Sequence, residues 1–308
     1  MFKVAFVRVL ITLCYVIPGY VLCKIKKASE RHLPTLSAVL IYFGSPCLII
    51  SSFLSLKYSR QAFVKMCYFA LTTFGVQAIF LMILYLALRK KYSDAKYRIL
   101  NIGCVLGNVG FFGLPIVKSL FPNDPIVSCY SAVFSVTMNL IVFTMGVYCL
   151  TNDKKYMSLK SAIISPSNLG LAIGLPLFLL SSKITLNKEV IQALGAVEKM
   201  TTPLCMIILG IRLASVPLKD IFLNPFTYLI CFGKLIAFPL FCYLCVYFLP
   251  FNAVFKACVV ILAGTPCASM LLNLSEIYNG EKNLPANSIL LSTFFCFITI
   301  PLLALLPY

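Results

Sequence analysis

The side chains able to do chemistry are sparse, and most lie inside long apolar runs. Asn108 falls in the stretch from Gly103 to Pro122, GCVLGNVGFFGLPIVKSLFP, seven residues before Pro115. That spacing is about two helical turns, so both residues share a face. The Asn108 amide can donate to a carboxylate or bridge to a neighbouring helix. Asn139 offers the same amide midway along the next apolar run. Lys234 lies about 12 Å inside its run by helical rise. A charge at that depth either counters an anion, pairs within the bundle or snorkels outward. Glu198 and Lys199 are adjacent, so they point to different faces and do not simply neutralise each other. Glu198 is the only carboxylate well inside a run, open to a coupling or a structural role. Asn273 and Glu276 close another run, and Arg8 lies one turn inside the first.

Other chemistries lack their residues. His32 is the sole histidine, so no His-based metal cluster can form. Most of the 14 cysteines, such as Cys47, Cys104, Cys231, Cys258 and Cys296, sit in apolar runs and act as small hydrophobes. Cys242 and Cys245 form a CxxC without further ligands. No metal and no cofactor is expected. An intramembrane enzyme needs paired aspartates, a Ser-Lys dyad or HExxH on facing helices. No Asp lies within a run, HExxH is absent, and nothing places Ser beside Lys.

The elements that must position these residues are membrane helices. The chain of 308 residues is 61% hydrophobic and 11% charged, with a mean hydropathy of +0.97. That composition describes an all-α polytopic membrane protein. Ten spans are predicted, near 4–23, 34–56, 63–88, 99–120, 126–150, 162–182, 190–213, 225–249, 254–275 and 285–307. The first reads as a retained span, because no small-residue cleavage site follows it. The net charge of +17 is read as loop charge that orients the chain, with no nucleic acid implied. Fifteen Lys and Arg lie in or beside the odd-numbered loops, against eight at the N-terminus and even-numbered loops. The excess places the odd loops in the cytoplasm and both termini outside.

The two halves echo each other. Pro18, Pro46 and Pro115 are spaced 28 and 69 apart; Pro176, Pro203 and Pro266 are spaced 27 and 63 apart. Ser45-Pro46-Cys47-Leu48 matches Thr202-Pro203-Leu204-Cys205, and Gly113-Leu114-Pro115 matches Gly264-Thr265-Pro266. With five spans per half, the second copy enters the membrane upside down, as in many secondary transporters. Residues 1–150 form the first repeat, 151–161 a cytoplasmic linker and 162–308 the second. The fourth and ninth spans are expected to break at Gly-x-Pro, each second half-helix starting near Pro115 or Pro266. Half-helix N-termini meeting at the midplane gather partial positive charge and suit an anion. Asn108, Gly110, Gly113, Pro115, Asn139, Lys234, Gly264, Thr265 and Pro266 are therefore the expected substrate contacts. Glu198, Asn273 and Glu276 are coupling or structural candidates.

Asn108-Val-Gly-Phe-Phe-Gly-Leu-Pro115 resembles the Asn-x4-Gly-x-Pro signature of the auxin efflux carrier family. The resemblance continues through Pro203–Gly210, Pro266, Leu274-Ser275-Glu276-Ile277-Tyr278-Asn279-Gly280, Leu291-Ser292-Thr293 and Thr299-Ile300-Pro301, covering essentially the whole chain. It implies ten spans in two inverted repeats with crossed fourth and ninth helices. It also implies a scaffold of spans 1, 2, 6 and 7, a moving unit of spans 3, 4, 5, 8, 9 and 10, and a homodimer through the scaffold. The long hydrophilic loop of the plant exporters is missing, which points to a bacterial-type carrier of the malonate or malate kind. Two departures bear on the second half. Met270 stands where bacterial relatives often have Asn, and Ser275 replaces the family's alanine. The expected function is alternating-access transport of a small organic anion in the plasma membrane. A channel or a receptor-like sensor on the same fold is the alternative.

Overall fold

The computed structural model describes residues 1–151, 153–183, 187–277 and 281–308. Asn152 of the linker and Tyr278, Asn279 and Gly280 of the second-half motif lie outside the described residues. The architecture is helical, and among the described residues no strand occurs. Seven helices are long and apolar enough to cross a bilayer: α1 (Phe2–Lys24), α2 (Glu30–Leu54), α3 (Arg60–Lys91), α6 (Ile126–Thr151), α8 (Lys188–Ser215), α9 (Pro225–Tyr247) and α12 (Asn283–Leu303). Three shorter apolar helices are α5 (Val109–Leu120), α7 (Pro166–Leu180) and α10 (Ala253–Ala263). The short helices α4 (Ala95–Gly103) and α11 (Met270–Ile277) complete the set used below.

Capping side chains fix several starts. The side chains of Ser59, Asp94, Ser165, Asn187, Asn224 and Asn252 accept backbone N–H groups at the beginnings of α3, α4, α7, α8, α9 and α10. Each satisfies a donor that the first turn leaves orphaned. Apolar side chains such as Leu71, Ile79 and Leu86 of α3 remain exposed along the outer surface, as a lipid-facing helix requires.

Proline acts differently from the sequence expectation. Pro46, Pro115 and Pro239 each stand near the start of an α-helical stretch that follows a π turn, at Val39–Gly44, Val109–Gly113 and Gly233–Ala237. The ring of a proline would clash with the carbonyl one turn earlier, and a π turn widens the helix there. The helical path therefore runs through Pro115, and the non-helical stretch lies upstream, at residues 104–108. Pro266, by contrast, sits within the non-helical residues 264–269. The two Gly-x-Pro sequences thus match in letters and occupy different local structures.

Packing divides along particular helix pairs. α1 packs on α8, and α2 packs on both α7 and α8. The first contact needs two glycines: a Cβ on Gly19 would lie 2.1 Å from the Ile207 carbonyl oxygen, and one on Gly210 2.1 Å from that of Val16. Small residues of this kind let membrane helices approach backbone to backbone. α3 packs on α6, and α9 on α10 and α12. α1 also touches α5 and α12.

Candidate functional site

α4 ends at Gly103 and α10 ends at Ala263, and the chain that follows each is pulled against the other. Gly107 and Cys267 form an isolated antiparallel bridge. The Asn108 N–H donates to the Pro266 carbonyl (2.8 Å), and the Ala268 N–H donates to that of Leu106 (3.2 Å). Flanking helices take the remaining donors of the bridge pair. The Gly107 N–H donates to Met138 Sδ of α6 (3.3 Å), and the Cys267 N–H donates to Ser292 Oγ of α12 (3.0 Å). Unwound backbone survives at membrane depth only when protein satisfies it in this way. Gly107 leaves room for two neighbouring side chains: a Cβ there would stand 2.6 Å from Thr265 Oγ1 and 2.8 Å from Lys234 Nζ, so both would have to shift.

Lys234 is the brace of this arrangement. It is fully buried in the π turn of α9, and its ammonium donates to the carbonyls of Val105 (3.2 Å) and Ala263 (2.6 Å). Both acceptors belong to helix C-terminal ends, where the aligned backbone dipoles favour a cation. The ammonium also lies 4.9 Å from the Phe238 ring centroid. Its charge is thus held inside the protein against main-chain oxygens and an aromatic face rather than snorkelling outward.

The structure gathers part of the expected site. Asn108 stands next to the bridge and donates from Nδ2 to Cys205 Sγ of α8 (3.4 Å). Thr265 is fully buried, with its hydroxyl donating to the Leu262 carbonyl (2.7 Å). Gly113 faces the Thr265 methyl, and Gly264 follows the end of α10. Gly110, half-buried in the π turn of α5, faces Leu48 and Ser135. Asn139 is buried on α6, one residue beyond Met138. Asn273 and Glu276 are carried away along α11, half-buried and exposed respectively.

Pro115 lies elsewhere, midway along α5, and lines a cleft with Glu198. One oxygen of Glu198 forms an ion pair with Lys118, and the other accepts from the Ser51 hydroxyl. Thr202 Oγ1 donates to the Phe111 carbonyl (2.7 Å), a second tie between α8 and α5. Lys118, Ser51, Thr202, Met138 and Ser292 were not among the expected contacts. Thr202 and Ser292 lay inside matched motifs without being read as contacts, and Lys118 stands three residues from Pro115 on the same helical face.

Long apolar helices built around a buried, braced pair of unwound segments define an integral, multi-pass membrane protein. A family model described as membrane transport protein matches residues 4–157 and 154–304, and the chain belongs to that family. The match supports the auxin efflux carrier resemblance at the level of the family. No curated protein matches the chain.

Proposed function

We infer that this membrane transport protein is a secondary carrier of a small organic anion, working by alternating access at the paired interruptions. One observation carries the reading: two helix starts, those of α5 and α11, stand beside an antiparallel bridge with the Lys234 ammonium buried beneath it. Helix N-termini present partial positive charge and unpaired N–H groups to an anion. Asn108 adds a side-chain amide at the bridge, and Lys234 adds a full charge while fixing the carbonyl ends of α4 and α10. Gly110, Gly113, Gly264, Thr265 and Pro266 form the surrounding backbone, with Asn139 behind Met138.

The same reading takes the chain as ten spans in two inverted repeats, α4 with α5 and α10 with α11 being the crossing fourth and ninth. The bridge then sets the register: Gly107 corresponds to Cys267, an offset of 160 residues (267 less 107), and Gly103 to Ala263 likewise. The Gly-x-Pro match implies 151 (266 less 115), so Pro115 and Pro266 are not equivalent positions under this plan. The packing of α1, α2, α7 and α8 on one another fits a scaffold of spans 1, 2, 6 and 7. A homodimer through that scaffold, both termini outside and a plasma-membrane location belong to the same proposal.

A thermal-shift screen of organic acids on the purified protein tests the anion class. A ligand at one hundred times its Kd stabilises the folded state by about 2.7 kcal/mol. Small carboxylates are expected to raise Tm; a shift by cations or neutral solutes alone contradicts the reading.

A further inference from the structure

Beyond the bridge, a cleft of about 420 Å³ opens between α1, α5 and α8. Arg8, Tyr15, Pro115, Lys118, Glu198 and Lys199 are among its lining residues. Three cations face one carboxylate there. Arg8 Nε is buried and has no hydrogen-bond partner among the described residues. Lys199 is exposed, whereas Lys118 and Glu198 are paired with side chains 38% and 14% exposed. The Lys118 end keeps part of its surface in solvent, so an incoming carboxylate can compete for the ammonium while Glu198 stays held by Ser51. Its partners stand on different helices, Lys118 on α5 and Glu198 on α8.

We propose that this cleft is a second carboxylate site, and that Glu198 occupies Lys118 as a built-in competitor until a free carboxylate displaces it. Arg8 and Lys199 supply charge that Glu198 does not neutralise, so an incoming anion finds a net positive cleft even with the pair closed. Once its carboxylate takes Lys118, the Glu198 tie between α5 and α8 opens, leaving Ser51 on Glu198. The ligand thus favours the state in which α5 is freer of α8, as differential binding requires. The proposal deepens the carrier reading and rests on it for the meaning of that release: the cleft is a loading site enclosed by α1, α5 and α8. The bridge, reached through α5, is the transport site.

The test is equilibrium binding of succinate to purified protein in the Asn108→Ala background, which weakens the bridge site about tenfold, so that the tighter component of binding reports the cleft. There, Glu198→Gln keeps the side-chain volume and an acceptor for Ser51 but removes the competing charge. Succinate is expected to bind about tenfold more tightly, within the usual range of coupling between groups. Lys118→Gln should abolish binding, and Arg8→Gln should weaken it about fivefold or more. Equal affinity with and without Glu198→Gln overturns the proposal. If Glu198→Gln does not yield folded protein, unchanged affinity in Arg8→Gln overturns it instead. Binding of a short-chain phosphatidic acid, lost in Lys118→Gln, with no binding of succinate assigns the cleft to a lipid headgroup, and also overturns it. Saturable anion uptake by the unaltered protein alongside a silent Glu198→Gln leaves the carrier reading standing and removes only the second site.

Discussion

A buried lysine normally costs a membrane protein dearly, and Lys234 shows how that cost is offset. Its ammonium is shared between the carbonyls of Val105 and Ala263, which are orphaned where α4 and α10 end. Removing it strands two buried acceptors. Lys234→Met is expected to destabilise the protein by on the order of 3 kcal/mol, read as a lower Tm in detergent. A Tm unchanged from the parent would contradict the bracing role. Gly107→Ala is the companion change, because its Cβ would press on Thr265 and Lys234. It should abolish transport, and normal uptake by that variant would mean the bridge is not needed. The depth of Lys234 was legible in the sequence, since a charge far inside an apolar run stands out. Its partners were not, because Val105 lies 129 residues away and Ala263 lies 29 away, and no local pattern links them. Glu198 was legible in the same limited way: an isolated carboxylate signals a partner without naming Lys118 or Ser51.

At the scale of the helix, proline and glycine carried most of the readable information, and part of it misled. Gly-x-Pro was read as the point of rupture at Pro115. The chain instead absorbs the ring in a π turn, and the interruption falls upstream at residues 104–108, ending at Asn108. Sequence periodicity cannot distinguish these outcomes, because a π turn keeps the apolar pattern while shifting it by one residue per turn. Gly107 had no motif of its own in that reading, although it is the residue in the bridge. The structure changes what Pro115→Ala should do. Restoring an N–H and removing the ring lets the π turn regularise, which alters how α5 meets α8 more than it alters the bridge. Turnover is expected to fall several-fold with little change in half-saturating concentration, as measured by initial uptake rates at matched protein levels. A change confined to affinity would place Pro115 in the substrate site after all. The close packing of α1 on α8 makes a separate claim. Gly210→Val should drive those helices apart and sharply reduce the yield of folded protein in size-exclusion profiles, and a normal profile would contradict the contact.

For the whole molecule, the apolar runs were the most legible feature. Among the described residues, seven helices are long and apolar enough to cross by themselves, and each overlaps a predicted run, with ends that differ by a few residues. The positive-charge bias predicts that Lys91, at the end of α3, faces the cytoplasm. A cysteine at position 91, with accessible native cysteines removed, should react only with reagent supplied from that side; reaction from outside reverses the orientation. The central claim is carriage of an organic anion through the paired interruptions. It is tested most directly by counterflow in proteoliposomes, using the acid with the largest thermal shift. The unaltered protein should accumulate labelled anion transiently when the vesicles hold an excess of unlabelled anion. Asn108→Ala, losing a half-buried polar contact of about 1 kcal/mol or more, should need about tenfold more anion for the same exchange. Flux that rises linearly without counterflow, and is identical in Asn108→Ala, would contradict the account.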